Sequence, residues 1–297
     1  MRVKVLFTGF FILLFVACNK DNNDLRLRED SAIDHTCTEL AAIPAEWITA
    51  AKTTLHIAYG HTSHGSQITT GMKGLVSFKG NNFEWNNGGT GGALDLHDYA
   101  MPGDLGNPNR TQWEAETRKY LAANSDINVV MWSWCGQVSS ATEADINTYL
   151  SLMTGLEEDF PNVTFVYMTG HLDGTGLTGN LHFRNEQIRN YCKTNKKFLY
   201  DFADIESYDP DGIYYGDKFA NDGCNYDYDG DGETKSSGDP SIPGGNDKNW
   251  AITWQNNHTV NVDWFNTSVA HTQPLNGNLK AYAAWHLWAL IAGWDGN

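Results

Sequence analysis

Basic residues are scarce in this chain: 20 Lys and Arg stand against 36 Asp and Glu, a formal net charge of -16 at pH 7. No basic cluster offsets that balance, so a polyanion would be repelled and no nucleic-acid partner is expected. Long apolar runs are missing too. The stretch at residues 5–17 follows the positive start Met1-Arg2-Val3-Lys4 and is too short to span a bilayer, which marks residues 1–17 as an export signal. Its removal takes Arg2 and Lys4 with it and leaves the chain more acidic still. Cysteines are few and none forms a CxxC pair, which excludes a structural zinc site of that kind. With Cys18 set aside, Cys37, Cys135, Cys192 and Cys224 allow two disulfides in three connectivities, Cys192 with Cys224 being one of them. There is no HxH or HExxH spacing and no internal repeat.

What remains is long enough for one α/β domain with a full core. Four apolar runs, 54–59, 128–134, 163–168 and 198–202, each lead into a polar or glycine-containing turn. Helix-like stretches at 111–123, 143–160 and 180–195 lie between them, and another at 278–292 closes the chain. Continuous apolar strands alternating with helices predict a parallel sheet covered on both faces, a three-layer α/β/α domain over 41–297. Residues 18–40 read as a flexible tether. Residues 80–110 read as a Gly-rich loop and 207–262 as a long Asp/Asn/Gly-rich insertion.

The turn Tyr59-Gly60-His61-Thr62-Ser63-His64-Gly65 follows the first apolar run. A serine at a strand's carboxyl end, between glycines and beside imidazoles, is placed either as a nucleophile or as the cap of the next helix. Far downstream, Asp263-Trp264-Phe265-Asn266-Thr267-Ser268-Val269-Ala270-His271 puts one histidine just before the last helix. His171 and Asp173 follow the third run. Gln137 follows the second, as a side-chain donor or as a turn residue capping the next helix.

Together the serine turn and the late histidine resemble the SGNH (GDSL-type) hydrolase superfamily in element order over most of 50–295. The resemblance implies a flavodoxin-like fold, Ser63 as nucleophile and His271 as general base. The superfamily's acid stands three positions before the histidine, where this chain has Ser268, so Asp263 is its substitute. Gln137 and Gly92, or another glycine among 88–92, would be oxyanion donors. His61, His64, His171 and Asp173 would line the substrate pocket. No cofactor is needed for catalysis. The stretch Leu14-Phe15-Val16-Ala17-Cys18 resembles a bacterial lipobox, with Cys18 the lipidated residue, and the acidic stretch after it resembles the surface-export signal of Bacteroidetes lipoproteins. Both imply an outer-membrane protein held only by its lipid anchor, and the serine–histidine machinery on such a protein implies a serine esterase that removes acyl groups, chiefly acetyl, from a carbohydrate.

Asp227-Tyr228-Asp229-Gly230-Asp231-Gly232-Glu233 matches the start of an EF-hand-like loop, so Asp227, Asp229, Asp231 and Glu233 are candidate ligands of a structural calcium. Two rivals stand beside the esterase. One is a non-catalytic glycan-binding lipoprotein on the same fold. The other is a carbohydrate-cleaving enzyme using Asp173, Asp204 and Glu206. A metal held by the clustered histidines ranks below these.

Overall fold

The computed structural model describes residues 32–134, 136–234 and 247–296. The strands are β1 (Ala32–Ile33), β2 (His56–Gly60), β3 (Trp85–Asn86), β4 (Leu94–Asp98), β5 (Val129–Trp132), β6 (Thr164–Met168) and β7 (Phe198–Tyr200) in one sheet, with β8 (Asn225–Tyr226) and β9 (Lys248–Asn249) in a separate ribbon. The main sheet is parallel throughout, in the order β1-β7-β6-β5-β2-β4-β3. Its run β4-β2-β5-β6-β7 is the 2-1-3-4-5 order of a flavodoxin-like doubly wound sheet, so the expected fold class holds.

The inner strands are apolar throughout because both faces are covered. Ile57, Tyr59, Val129, Met131, Val166 and Met168 join one core; Ala58, Val130, Trp132, Phe165 and Tyr167 join the other. The first core is roofed by α1 (Ala45–Thr54), α2 (Ser66–Lys79) and the last helix, the second by α3 (Gln112–Ala123), α4 (Glu143–Asp159) and α5 (Asn180–Asn195). A short α6 (Phe202–Ile205) follows β7, α7 (Trp250–Asn257) follows β9, and α8 (Pro274–Ile291) ends the fold. Pro274 opens α8 where a missing N–H costs nothing. This helix is apolar on every side and buried between α1, α2 and the sheet. It approaches α2 so closely that a Cβ on Gly71 would lie 2.1 Å from the Gly277 carbonyl oxygen. None of the helices among the described residues is long and apolar enough to cross a membrane.

Four expectations need correction. Residues 80–110 hold β3 and β4, whose Leu94 and Leu96 are buried beside β2 while glycines 88–92 form only the turn before them. The tether ends earlier than residue 40, since Ala32–Ile33 pairs with β7. The 207–262 segment is built into the fold rather than hung on it: Tyr215, Cys224 and Trp250 join the first core. Cys192 and Cys224 are free buried thiols in the cores on opposite faces of the sheet, so they form no disulfide. The signal, Cys18, Cys135 and residues 235–246 of the insertion lie outside the described residues.

Candidate active site

The chain leaves β2 for α2 on one face and β5 for α4 on the other, which opens a crevice at their carboxyl ends. Ser63 stands at that edge, exposed, in the turn between β2 and α2. The Tyr59 hydroxyl donates to the Gly65 carbonyl at 3.0 Å, and the Ser66 hydroxyl donates to the Ser63 carbonyl at 2.6 Å. Gly65 is obligatory here, because a Cβ would lie 2.3 Å from the His61 Cβ and 2.7 Å from the Ser133 hydroxyl.

Three imidazoles from three loops stack at this edge. The His64 ring is parallel to that of His171, with centroids 3.7 Å apart, and to that of His271, 4.2 Å away. His64 Nε2 donates to Asp222 Oδ2 at 2.8 Å. Burial pushes the Asp222 carboxyl up, but the His64 hydrogen bond and the charge of His171 outweigh it and hold it below the usual carboxylate range. His171 donates from Nδ1 to the Leu172 carbonyl at 2.9 Å, leaving a buried Nε2 without a partner and facing Gly136, where a Cβ would be 3.8 Å away. Burial, with the neighbouring His64, lowers the His171 pKa from its ordinary value. His61 is buried, with Nδ1 2.8 Å from the Thr62 carbonyl and Nε2 2.7 Å from Asp98 Oδ1.

His271 is exposed and left-handed at φ 63°, uncommon for a residue with a side chain. Its flanks hold it there. Gln67 donates from Nε2 to the Ala270 carbonyl at 2.7 Å, while Thr272 Oγ1 meets Cys224 Sγ at 3.3 Å and accepts from Asn276 at 2.7 Å. Burial pushes the Cys224 thiol up to about 12, which makes it a packing group rather than a nucleophile.

Beneath the loops lies a sealed polar network. Lys280, in the middle of α8, donates to Glu206 at 2.6 Å and also to Gln67 Oε1, and both charged side chains are fully buried. Glu206 in turn accepts from the Leu172 amide. The network therefore ends one residue from His271, at Ala270, and one residue from His171, at Leu172. Gln67 itself stands in the first turn of the helix that follows Ser63.

The structure stacks His64 with His171 and His271, and Ser63 and His61 belong to the same turn as His64. Other expected members lie elsewhere. Asp263 accepts from the Thr259 amide at 2.8 Å in a turn of its own, and the carboxylate beside the histidines is Asp222. Gln137 donates its side-chain amide to Asp104 at 2.7 Å and lines a different cavity, with Asn107 and Arg110. Gly92 precedes β4, so it sits at the amino edge of the sheet, opposite the site. Asp173 faces away, accepting from Ser139 at 2.8 Å and from Thr175. Glu206 is sealed by Lys280 and cannot reach a glycan. Asp204 is bound to His35 at 2.5 Å.

Nitrogen and oxygen atoms of His64, Asp222 and His271 lie within 4.8 Å of one another. A shared metal ion would have to lie in the plane of both rings, and near-parallel rings 4.2 Å apart have no common plane. His64 and Asp222 are joined instead by a hydrogen bond. In the acidic loop, Asp227 and Asp229 converge with Asp247 within 4.8 Å, whereas Asp231 accepts from the Glu233 amide and stands outside the group. Sequence reading passed over Asp98, Asp222 and Asp247 because nothing local separates them from the chain's many solvated acids. Lys280 did leave a signal: it is a lone charge in a helix otherwise apolar all round. Comparison with known protein families, curated proteins and solved structures finds no match to this chain.

Proposed function

We propose that this chain is a serine esterase of SGNH type that removes acyl groups, chiefly acetyl, from a carbohydrate. In this reading it is exported, lipidated at Cys18 and exposed on the outer membrane. The observation that carries the chemistry is the stacking of His64, from the serine turn, on His271, from the loop before α8, at the crevice between β2 and β5. A serine hydroxyl is a weak nucleophile until a base takes its proton. Here His271 accepts the Ser63 proton as Oγ attacks the ester carbonyl. Amides of Ser63 and Gly136 take the negative charge of the tetrahedral oxygen, a contribution of about 3 kcal/mol for each well-placed donor. The imidazolium then returns the proton to the departing sugar hydroxyl, and water repeats the sequence on the acyl-serine. Asp222, within 4.8 Å of nitrogens on both His64 and His271, is the acid that steadies the charged imidazole.

The test is acetate release from acetylated polysaccharide by the full mature chain and by Ser63→Ala. Release that falls at least ~10³-fold in the variant supports the mechanism. Equal release by both removes Ser63 from it, and no release by the intact chain with glycan binding retained leaves a binding protein. Cys18→Ala should move the protein from the membrane fraction to the soluble one. The convergence of Asp227, Asp229 and Asp247 offers the hard oxygen donors that suit calcium, which would clip the tip of the β8–β9 ribbon.

A further inference from the structure

We infer that a second cavity, beside the stacked histidines, is a subsite for a neutral or amino sugar ring and rejects uronic acids. The inference rests on the carbohydrate reading above and specifies which sugars that site takes. Residues 172–174 pair with 220–222 through the Asp222 amide on the Leu172 carbonyl, at 3.1 Å, and the Gly174 amide on the Ala220 carbonyl, at 3.2 Å. This two-ply wall carries Asp222 toward the histidines. The cavity, about 340 Å³, is lined by Leu172, Asp173 and Ala220 of the same wall and lies beyond the carboxyl ends of β6 and β7. Its size is at the small end of ligand pockets, which run roughly 300–1,000 Å³, and suits one or two rings rather than a chain.

The lining selects the ligand. Tyr208 and Tyr214 stand with ring centroids 4.9 Å apart, and His35 stacks on Tyr208 at 3.5 Å, pinned there by Asp204. That gives a fixed, half-buried aromatic wall of the sort on which the apolar face of a pyranose packs. Around it, Asp34, Asp173, Glu186 and Asp204 offer acceptors for hydroxyl or ammonium groups. The guanidinium in the lining, Arg189, is already spent: Nε and Nη2 donate to Asp201 at 2.6 and 2.8 Å, and Nη1 to Glu186 at 2.7 Å. Among the described lining residues His182 is the one other side chain able to carry positive charge, so a carboxylate or sulfate on the sugar would meet mostly like charge with Arg189 already taken.

The experiment uses the full mature chain carrying Ser63→Ala, titrated calorimetrically with tetramers of glucose, glucosamine and galacturonic acid. Binding of the glucose or glucosamine tetramer at least tenfold tighter than the galacturonic tetramer supports the subsite, as does a loss of at least tenfold in Tyr208→Ala. Tyr214→Ala, in a more exposed loop, gives the same reading should Tyr208→Ala fold poorly. Failure of both neutral and amino tetramers to bind, equal binding of the uronate, or unchanged affinity in both tyrosine variants overturns it. Hydrolysis of p-nitrophenyl acetate by the chain with Ser63 intact separates the two ideas. Tyrosine-dependent sugar binding without hydrolysis keeps the subsite and removes the esterase. Hydrolysis without tyrosine-dependent binding does the reverse.

Discussion

Replacing Lys280 by Met should destabilise the fold more than any surface change and distort the site at the same time. Lys280 and Glu206 are both wholly shielded from water, 2.6 Å apart, with Gln67 and the Leu172 amide completing their hydrogen bonds. Removing the ammonium strands a carboxylate in the core, and breaking a buried pair in this way costs about 3–5 kcal/mol. For a domain of this size each kcal/mol lowers Tm by roughly 2–4 °C, so the loss should be about 6–20 °C. Lys280→Met combined with Glu206→Gln removes both charges while keeping an acceptor for the Leu172 amide. The double variant should therefore recover at least ~1.5 kcal/mol relative to Lys280→Met alone, a non-additivity that reports direct coupling. Tryptophan fluorescence during thermal and urea unfolding of the wild type, both single variants and the double variant completes the cycle. Additive losses, or a Lys280→Met cost below ~1 kcal/mol, would refute the argument that this pair anchors the loops of His171 and His271.

Four further outcomes follow from the same geometry. Asp222→Asn should lower kcat for ester cleavage by ~10²–10⁴ while Asp263→Asn leaves it within about twofold, since of the two only Asp222 adjoins the stacked imidazoles; the reverse ranking would restore Asp263. Gly65→Ala should cost ~1–3 kcal/mol in urea unfolding and reduce activity, because its Cβ would fall 2.3 Å from that of His61. Stability should fall on acidification in two windows. Below about 6.5 the unfolded chain protonates its His171 before the folded chain does; below about 3.8 it likewise protonates Asp222 first, so the stabilisation present above those values is lost as pH drops. His171→Asn should flatten the upper window in a urea-midpoint profile, and stability that rises between pH 6.5 and 5 would contradict the assignment. Calcium at a hundredfold excess over its Kd should add about 2.7 kcal/mol, read as a Tm shift reversed by chelator and abolished in Asp247→Asn; no shift would count against the site.

The inner sheet was legible because β2, β5, β6 and β7 are covered on both faces, and such strands leave uninterrupted apolar runs. The edge strands leave little trace, since β1 and β3 are two residues each, and β4, one strand in from the edge, alternates apolar with polar behind a glycine-rich turn. Helices α1 and α2 were hidden for another reason. α1 ends in two threonines, and α2 carries Thr69, Thr70, Gly71 and Gly74, residues that disfavour a helix in isolation. Packing overrides that preference, because Gly71 is what lets α2 close on the backbone of α8. The same close approach gives α8 its full burial, so a locally weak helix is the partner that a strongly apolar one requires.

The site divides along a similar line. Ser63, His64, His171 and His271 could be found because a doubly wound sheet delivers its loops to one edge, and each of these residues follows a strand or precedes the final helix. The carboxylate beside them, Asp222, could not, because it arrives from the segment that looked like an insertion. Asp222 is fixed by its own amide on the Leu172 carbonyl at 3.1 Å, and Cys224, two residues on, packs in the core against Thr272. In the proposed mechanism the order along the chain is serine, aspartate, histidine, with the aspartate supplied across a loop-to-loop bridge rather than from the turn that holds His271. This placement accounts for the left-handed backbone at His271. Its neighbours are tied to Gln67 on one side and to Cys224 and Asn276 on the other, so the imidazole is presented to the serine turn and to Asp222 from between two anchors.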